Sequence, residues 1–371
     1  MIKYDDFLEI VKKYGAENAE IVVFENGEST CFTFGYKDKE ENDLLKEDDI
    51  FRIASISKTV LAIGAMKLKE DGKLDLDEDI SNYLGFLVRN PHFPNNSITT
   101  RMLMTQTSSI TDGFDDEDLS YDGSRVDGYN GVNGRVIGIP LKEMLTPSDS
   151  KYYSDLTFLK NAPGEKFVYS NFGCGILACI IEKISGMNYD LFMKKILFDK
   201  LNLDASYYPN RIKKQERIVS LYMNDGKRTG QSFVERSYPD LPLGEAYLGP
   251  AGGLFISMKD LSKIMCSFFV DKYKVLKDET IKEMLSINWE GDEGEYQKKA
   301  LQMIVLDGYV PFRLYGHFGS AYGLRSMMLF NPEKKCGVCF AGSGYKNQQR
   351  IKNIPGIHYE LINKIWWILW D

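Results

Sequence analysis

Phe51-Arg-Ile-Ala-Ser-Ile-Ser-Lys-Thr-Val60 is the stretch on which the reading of this chain turns. Phe51–Ile53 is a short apolar run with one embedded arginine, the pattern of a strand end. Ser55 and Ser57 follow, with hydroxyls suited to capping the amides that open a helix. From Val60 to Met66 no charged residue occurs, which predicts a helix apolar nearly all round and buried. Ser55 and Lys58 are three apart, so hydroxyl and amine share one face at the start of that helix.

A lysine in that position is under two pressures. The positive end of the helix dipole opposes its protonation, and so does burial, which lowers a lysine pKa by about 3–5 units when complete. From an ordinary value near 10.4, a fall of roughly three units, about 4 kcal/mol, makes the neutral amine abundant at pH 7. A neutral amine beside a serine hydroxyl is a nucleophile–base pair. The plainer alternative is two capping serines and a lysine that snorkels to solvent. Ser-x-x-Lys alone does not choose between them.

Outward from this stretch, 371 residues suffice for one large domain or two. A hydrophobic fraction of 43% and a charged fraction of 27% are ordinary for a globular chain. A net charge of −7 and a pI near 5.3 argue against a nucleic-acid surface. No apolar run approaches the roughly 20 residues that span a bilayer, so no membrane span is expected. Met1-Ile-Lys-Tyr-Asp-Asp has no basic-then-apolar export signal, so the chain is expected in the cytoplasm unless a leader has been trimmed.

The six cysteines lie in apolar segments and read as buried free thiols. Cys336-Gly-Val-Cys339 has metal-like spacing, yet its surroundings alternate as a strand, which sends the two sulfurs to opposite faces. The three histidines are isolated, and neither a metal nor another cofactor is expected.

In chain order, Tyr4–Tyr14 has helical spacing, and Glu20–Phe24 and Ser29–Phe34 read as a hairpin through Asn26-Gly27. Glu70-Asp71-Gly72-Lys73 ends the buried helix, and Leu74–Leu84 reads as a further helical piece. A helix begins near Ile98. Residues 108–135 read as a solvated loop fronted by Asp112, Asp115, Asp116, Glu117 and Asp118, or as an acidic rim selecting cationic substrates. Gly175–Ser185, Tyr189–Leu197 and Lys259–Phe269 are further helices, and Leu301–Leu306, Arg325–Phe330 and Gly337–Ala341 further strands. Ile357–Trp370 closes the chain as a helix whose tryptophans Trp366, Trp367 and Trp370 are expected against the sheet. Strands at both ends and a mostly helical middle predict an α/β body built from both termini, with an inserted helical lobe and a cleft between them.

Two further segments carry chemistry. Tyr169 and Asn171 follow a Pro-Gly turn, and in an extended loop their side chains point the same way. A phenol relays protons, and an amide orients a substrate carbonyl or holds the lysine. Gly316-His317-Phe318-Gly319-Ser320 reads as a strand whose glycines let another backbone approach, so a substrate can add as a strand. The amides of Ser55 and Ser320 could then bind an oxyanion together.

Taken in order, Ser55-x-x-Lys58, Tyr169-x-Asn171 and His317-x-Gly319 resemble the penicillin-recognising serine hydrolases. They are most similar to the class C β-lactamase and low-molecular-weight DD-peptidase branch. Phe51–Thr59, Met102–Ile110, Pro163–Asn171, Gly249–Leu254 with Asp260, and Gly316–Phe330 look like family segments in family order. The resemblance implies a β-lactamase/transpeptidase-like α+β fold: an antiparallel sheet flanked by N- and C-terminal helices, formed by residues 1–75 and 246–371, with a helical domain at 76–245. It implies Ser55 as the acylated nucleophile, Lys58 as its base, Tyr169 as proton relay, and Asn171, His317, Phe318, Gly319 and Ser320 along the substrate.

Two departures bear on the substrate. His317-Phe318-Gly319 stands where most class C lactamases have Lys-Thr-Gly, and resembles the His-x-Gly form of some DD-carboxypeptidases, D-aminopeptidases and esterases. Neutral histidine supplies less field for a carboxylate than lysine, and Phe318 removes a hydroxyl; both weigh against efficient β-lactam hydrolysis. Gln106 stands where many relatives have histidine, a change expected to be structural. The expected function is therefore a metal-free serine hydrolase taking a small-molecule or peptide amide, with a carboxylesterase or a β-lactam-acylated sensor as alternatives.

Overall fold

Helix α1 (Tyr4–Tyr14) buries Phe7, Ile10, Val11 and Tyr14, the one stripe its spacing offers. Asp5 and Asp6 occupy its positive first turn, and Gly15 closes it in the left-handed conformation, φ 65°. Strands β1 (Asn18–Glu25) and β2 (Glu28–Asp38) then form a hairpin. Asn26 and Gly27 both have positive φ, 51° and 88°, the two-residue turn whose twist matches its strands. The structure, a computed structural model, describes residues 3–113, 126–133, 138–147, 149–229, 241–291 and 297–370, with side chains up to residue 366.

The remaining strands among the described residues are β3 (Asp43–Leu44), β4 (Ile50–Arg52), β5 (Leu221–Tyr222), β6 (Arg228–Thr229), β7 (Phe255–Ser257), β8 (Trp289–Glu290), β9 (Lys298–Ala300), β10 (Met303–Leu306), β11 (Leu314–Ala321), β12 (Leu324–Asn331), β13 (Cys336–Ser343), β14 (Arg350–Ile351) and β15 (Ile354–Pro355). One antiparallel sheet runs β3-β2-β1-β13-β12-β11-β10-β9-β8. β1 pairs with β13 from Asn18↔Ser343 to Glu25↔Cys336, which joins the two ends of the chain at the centre of the sheet.

Alternation along these strands divides the core. Ala19, Ile21, Val23, Val338 and Phe340 face α1 and the C-terminal helix α11 (Gly356–Trp370). Val22, Phe24, Cys339 and Ala341 face the other way. Cys336 and Cys339 thus leave β13 on opposite faces, and all six cysteines are free. Trp366 packs edge-on to Phe312 at 4.7 Å; the side chains of Trp367 and Trp370 lie outside the described residues.

The other helices are α2 (Ser57–Glu70), α3 (Ile80–Leu84), α4 (Thr100–Thr105), α5 (Gly128–Val132), α6 (Leu141–Leu145), α7 (Asn171–Ser185), α8 (Tyr189–Met193), α9 (Met258–Cys266) and α10 (Asp278–Leu285). Every residue of α2 from Ser57 to Met66 is buried, as the uncharged run predicts. It packs against α7, which also meets α3, α4 and α8. The helix expected from Leu74 starts only at Ile80, because the Asp79 side chain accepts from the Ser81 amide and caps it there. Ser257 does the same for α9 by accepting from Asp260. Among the described residues no helix is long and apolar enough to cross a membrane.

One feature of the sheet positions the site. β10 pairs with β11 only from Leu306↔Leu314 to Ile304↔Gly316. From His317 to Ala321, β11 has β12 on one side. The turn that carries Ser55 packs against this part of β11, where a β-carbon on Gly319 would meet the Ile53 carbonyl.

Candidate active site

That turn, Ala54–Ile56, is a single 3-10 turn between β4 and α2. Ala54 holds φ 53°, a left-handed conformation that costs a non-glycine residue about 1 kcal/mol or more. Three hydrogen bonds fix it. Ser57 Oγ donates to the Ala54 carbonyl (2.6 Å) and accepts from the Leu254 amide (3.1 Å), and Ser326 Oγ donates to the Ile53 carbonyl (2.8 Å). The serines therefore do not cap α2 as expected. The chain is already helical at Ile56 (φ −58°, ψ −27°), so Ser57 turns back to a preceding carbonyl instead.

Lys58 is completely buried. Its Nζ contacts Asn171 Oδ1 at 2.7 Å, the Ala251 carbonyl at 2.8 Å and Ser55 Oγ at 3.2 Å. Burial pulls its pKa below the ordinary lysine value, opposed by Cys174 and Asp112. Were the amine to lose its proton, its partners would dictate how it sits. Two of the three are carbonyl oxygens, which only accept, so they take its two N–H groups. The lone pair is left to Ser55, the one partner of the three with a proton to give.

Asn171 opens α7. Its Nδ2 donates to Asp112 Oδ2 (2.7 Å), while Asp112 Oδ1 accepts from the Phe172 amide (2.8 Å) and Ser170 Oγ (3.2 Å). Ser170 in turn caps α7 by accepting from the Gly173 amide. Asp112 is thus a buried anchor and not part of a solvated loop, which corrects the expectation for that residue. Burial raises its pKa although hydrogen bonds from Phe172 and Asn171 favour the carboxylate. Asp115, Asp116, Glu117 and Asp118 lie outside the described residues.

A hydrogen bond joins the hydroxyls of Tyr169 and Ser55, and burial raises the Tyr169 pKa. Lys58 Nζ lies 4.8 Å from the Tyr169 ring centroid, and the His317 ring centroid lies 6.2 Å from it. His317 Nδ1 meets the Phe318 carbonyl at 2.6 Å. Burial first, then Lys299 and Lys58, hold its pKa well below the ordinary value, so the imidazole is neutral.

Phe318 does not line this cleft with its ring. Strand alternation sends it to the opposite face, where it stacks on His358 of α11 at 4.9 Å. Gly319 lies flat against the Ser55 turn: a β-carbon there would meet Ser326 Oγ and the Ile53 carbonyl, the latter at 2.7 Å. Ser320 is exposed, and its hydroxyl accepts from Arg325 at 2.5 Å. Gln106 is buried and reaches Gln302 at 3.4 Å.

The structure thus gathers Ser55, Lys58, Tyr169, Asn171, His317 and the backbone of Gly319 in one place. It adds Asp112 and the Ala251 carbonyl, which sequence reasoning missed. Gly249-Pro-Ala-Gly-Gly253 was legible as a turn, but a backbone acceptor leaves no mark in side-chain identity. Among the described residues no three His, Cys, Asp or Glu side chains converge as metal ligands.

Comparison with known proteins completes the description. A family model described as Beta-lactamase matches residues 5–358. Penicillin-binding protein 4* of Bacillus subtilis is 30% identical over 202 residues, 54% of this chain and 40% of that protein. The chain spans 40–58% of the length of the curated relatives it matches. Among solved structures, the octameric penicillin-binding protein homologue from Pyrococcus abyssi has a TM-score of 0.74 at 22% identity, over 98% of this chain and 76% of that one. D-amino acid amidase from Ochrobactrum anthropi SV3 has a TM-score of 0.72 at 20% identity, over 98% of both chains. At such identities these two likenesses establish the fold.

Proposed function

The chain belongs to the β-lactamase family, and from that premise we propose that it is a serine hydrolase cleaving amides of D-residues or β-lactam-like amides through an acyl-enzyme on Ser55. One observation carries the reading: a buried amine whose only proton-donating partner among its three close contacts is the Ser55 hydroxyl.

In the proposed reaction Ser55 Oγ attacks the substrate carbonyl as its proton passes to Lys58, directly or through Tyr169. The carbonyl π electrons move onto oxygen, which lies against the amides of Ser55 and Ser320; each such donor is worth about 3–4 kcal/mol in a serine hydrolase. Collapse of the intermediate expels the amine, which takes its proton from Tyr169, the phenol being replenished from Lys58. Water then attacks the ester with the same groups in reverse order. Asn171 holds the lysine rather than open space: its amide is committed on both sides, to Lys58 and to Asp112.

Amides of D-residues are favoured by the names of the similar proteins, a D-amino acid amidase and a D-alanine carboxypeptidase among them. An apolar Phe318 wall in the pocket would favour esters, but its ring stacks on His358 on the far face and supplies no such wall.

Wild type and Ser55→Ala incubated with fluorescent penicillin, D- and L-phenylalanine amides, a D-Ala-D-Ala peptide and p-nitrophenyl acetate test this. Expected are labelling of wild type alone and turnover of the D-amides. Equal turnover by Ser55→Ala would refute the nucleophile, and turnover of the ester alone would refute the amide reading.

A further inference from the structure

Gln302 stands in the turn between β9 and β10, completely buried and with a left-handed backbone, φ 54°. Glutamine is seldom fully buried, and a residue with a β-carbon seldom takes positive φ. A full set of hydrogen bonds sustains both. The backbone amide donates to the Met104 carbonyl of α4 (2.9 Å), and the backbone carbonyl accepts from Thr59 Oγ1 of α2 (3.0 Å). Side-chain Nε2 donates to the Leu103 carbonyl of α4 (3.0 Å) and to Cys174 Sγ of α7 (3.3 Å), while Oε1 accepts from Gln106 Nε2 (3.4 Å). One residue of the sheet domain thus holds three helices.

Two of these helices carry the site. Lys58 precedes Thr59 on α2, and Asn171 lies three residues before Cys174, on the same face of α7. Cys174 Sγ also donates to the carbonyl of Ser170 (3.3 Å), the residue that caps α7 and whose hydroxyl donates to Asp112. The contact of Lys58 Nζ with Asn171 Oδ1, 2.7 Å, joins the same two helices.

We propose, resting on the reading of Ser55 and Lys58 as nucleophile and base, that Gln302 is a positioning residue, a clamp between α2 and α7 that fixes the reach of Lys58 Nζ to Asn171 and Ser55. Thr59 is one end of the clamp and Cys174 the other. The ends act in series, so release at either frees both helices. A misplacement of about 1 Å at reacting groups costs about 10²-fold in rate, even when its origin is remote. A left-handed backbone at a buried, fully bonded residue is the kind of strain that persists where the surroundings hold it for a purpose. A residue that only filled space would lower stability and leave the chemistry of the folded molecules unchanged.

Two variants cut the clamp at its two ends. Gln302→Met keeps the length of the side chain and releases Cys174, Leu103 and Gln106. Thr59→Val keeps the branched shape and releases the Gln302 carbonyl. The readout is the acylation rate of folded protein at saturating fluorescent penicillin, set beside the urea midpoint of each variant. Each single variant should acylate about 10–100-fold more slowly than wild type. The double variant should be no slower than the slower single one, because a link in series breaks once. A wild-type rate in either folded single variant, or losses that multiply in the double, overturns the proposal. Should Gln302→Met fail to fold, Cys174→Ala cuts the same end and takes its place. A second measurement needs no activity: crystal structures of Ser55→Ala with and without Gln302→Met. The separation of Lys58 Nζ and Asn171 Oδ1 should open beyond about 3.5 Å in the second. A separation still at 2.7 Å overturns the proposal even if Ser55 is not a nucleophile. A wild type that never labels, with the separation opening in the variant, counts against the proposed function alone.

Discussion

Lys58 gathers two partners from distant parts of the chain and a third, Ser55, from its own turn, and on the proposed reading this concentrates the chemistry in one side chain. Lys58→Met should lower acylation by about 10²–10⁴-fold, the scale of a lost general base, while the fold persists. Acylation kinetics with a fluorescent penicillin beside a thermal melt decide it; acylation at the wild-type rate would remove the role. Asp112 acts one step further out. Asp112→Ala leaves the Asn171 amide and the Phe172 N–H buried without their acceptor, at about 1–3 kcal/mol. Denaturant midpoints should fall accordingly, and acylation should drop with them because Asn171 then no longer fixes Lys58. A variant with unchanged stability would mean another group takes over the anchor.

Among elements, β11 fits the Ser55 turn so closely that it leaves no room for a side chain at Gly319. Gly319→Ala would push its β-carbon against Ser326 Oγ and the Ile53 carbonyl, backbone that cannot give way cheaply. Overpacking of this kind costs about 1–3 kcal/mol, and it displaces the strained Ala54 turn as well. The expected outcome is a folded protein with a lowered melting point and acylation reduced at least tenfold, since a shift of about 1 Å at reacting groups costs about 10²-fold. Near-normal acylation would show that β11 does not dictate the position of Ser55.

Across the whole molecule, two buried groups set opposite limits on stability. His358 lies between Phe318 and Phe340 with no hydrogen-bond partner for either nitrogen among the described residues, and burial pulls its pKa down to about 3. The folded chain keeps it neutral, whereas the unfolded chain protonates it below about 6.5. Its stabilisation is therefore complete above pH 6.5 and is lost as pH falls toward 3, at up to about 1.4 kcal/mol per unit. Glu20, equally buried on β1, is shifted upward by burial and by Asp49, so its carboxyl costs stability as pH rises above the ordinary glutamate range. Unfolding free energies from urea titrations at pH 6.5 and 4.5 should differ by about 2–3 kcal/mol more in wild type than in His358→Phe, and Glu20→Gln should gain most at pH 7 and above. Parallel profiles for all three proteins would mean that neither group titrates with folding.

How much of this was legible from the amino acids can be argued residue by residue. The buried α2, the Asn26-Gly27 hairpin, α1 and the opposed sulfurs of β13 all follow from spacing, because hydrophobic periodicity is a relation between neighbours along the chain. Ser55, Lys58, Tyr169, Asn171 and His317 were likewise visible as short motifs whose order resembles a family. Phe318 was misread, since membership of a motif does not say which face of a strand a residue takes. Asp112 hid in an acidic run that reads as a solvated loop. What the order of residues settled was therefore the elements and the chemistry available to them. Folding alone decided that Lys58 would lose water and face two carbonyls from positions 113 and 193 residues away. Desolvation is set by neighbours in space, and no local spacing encodes it.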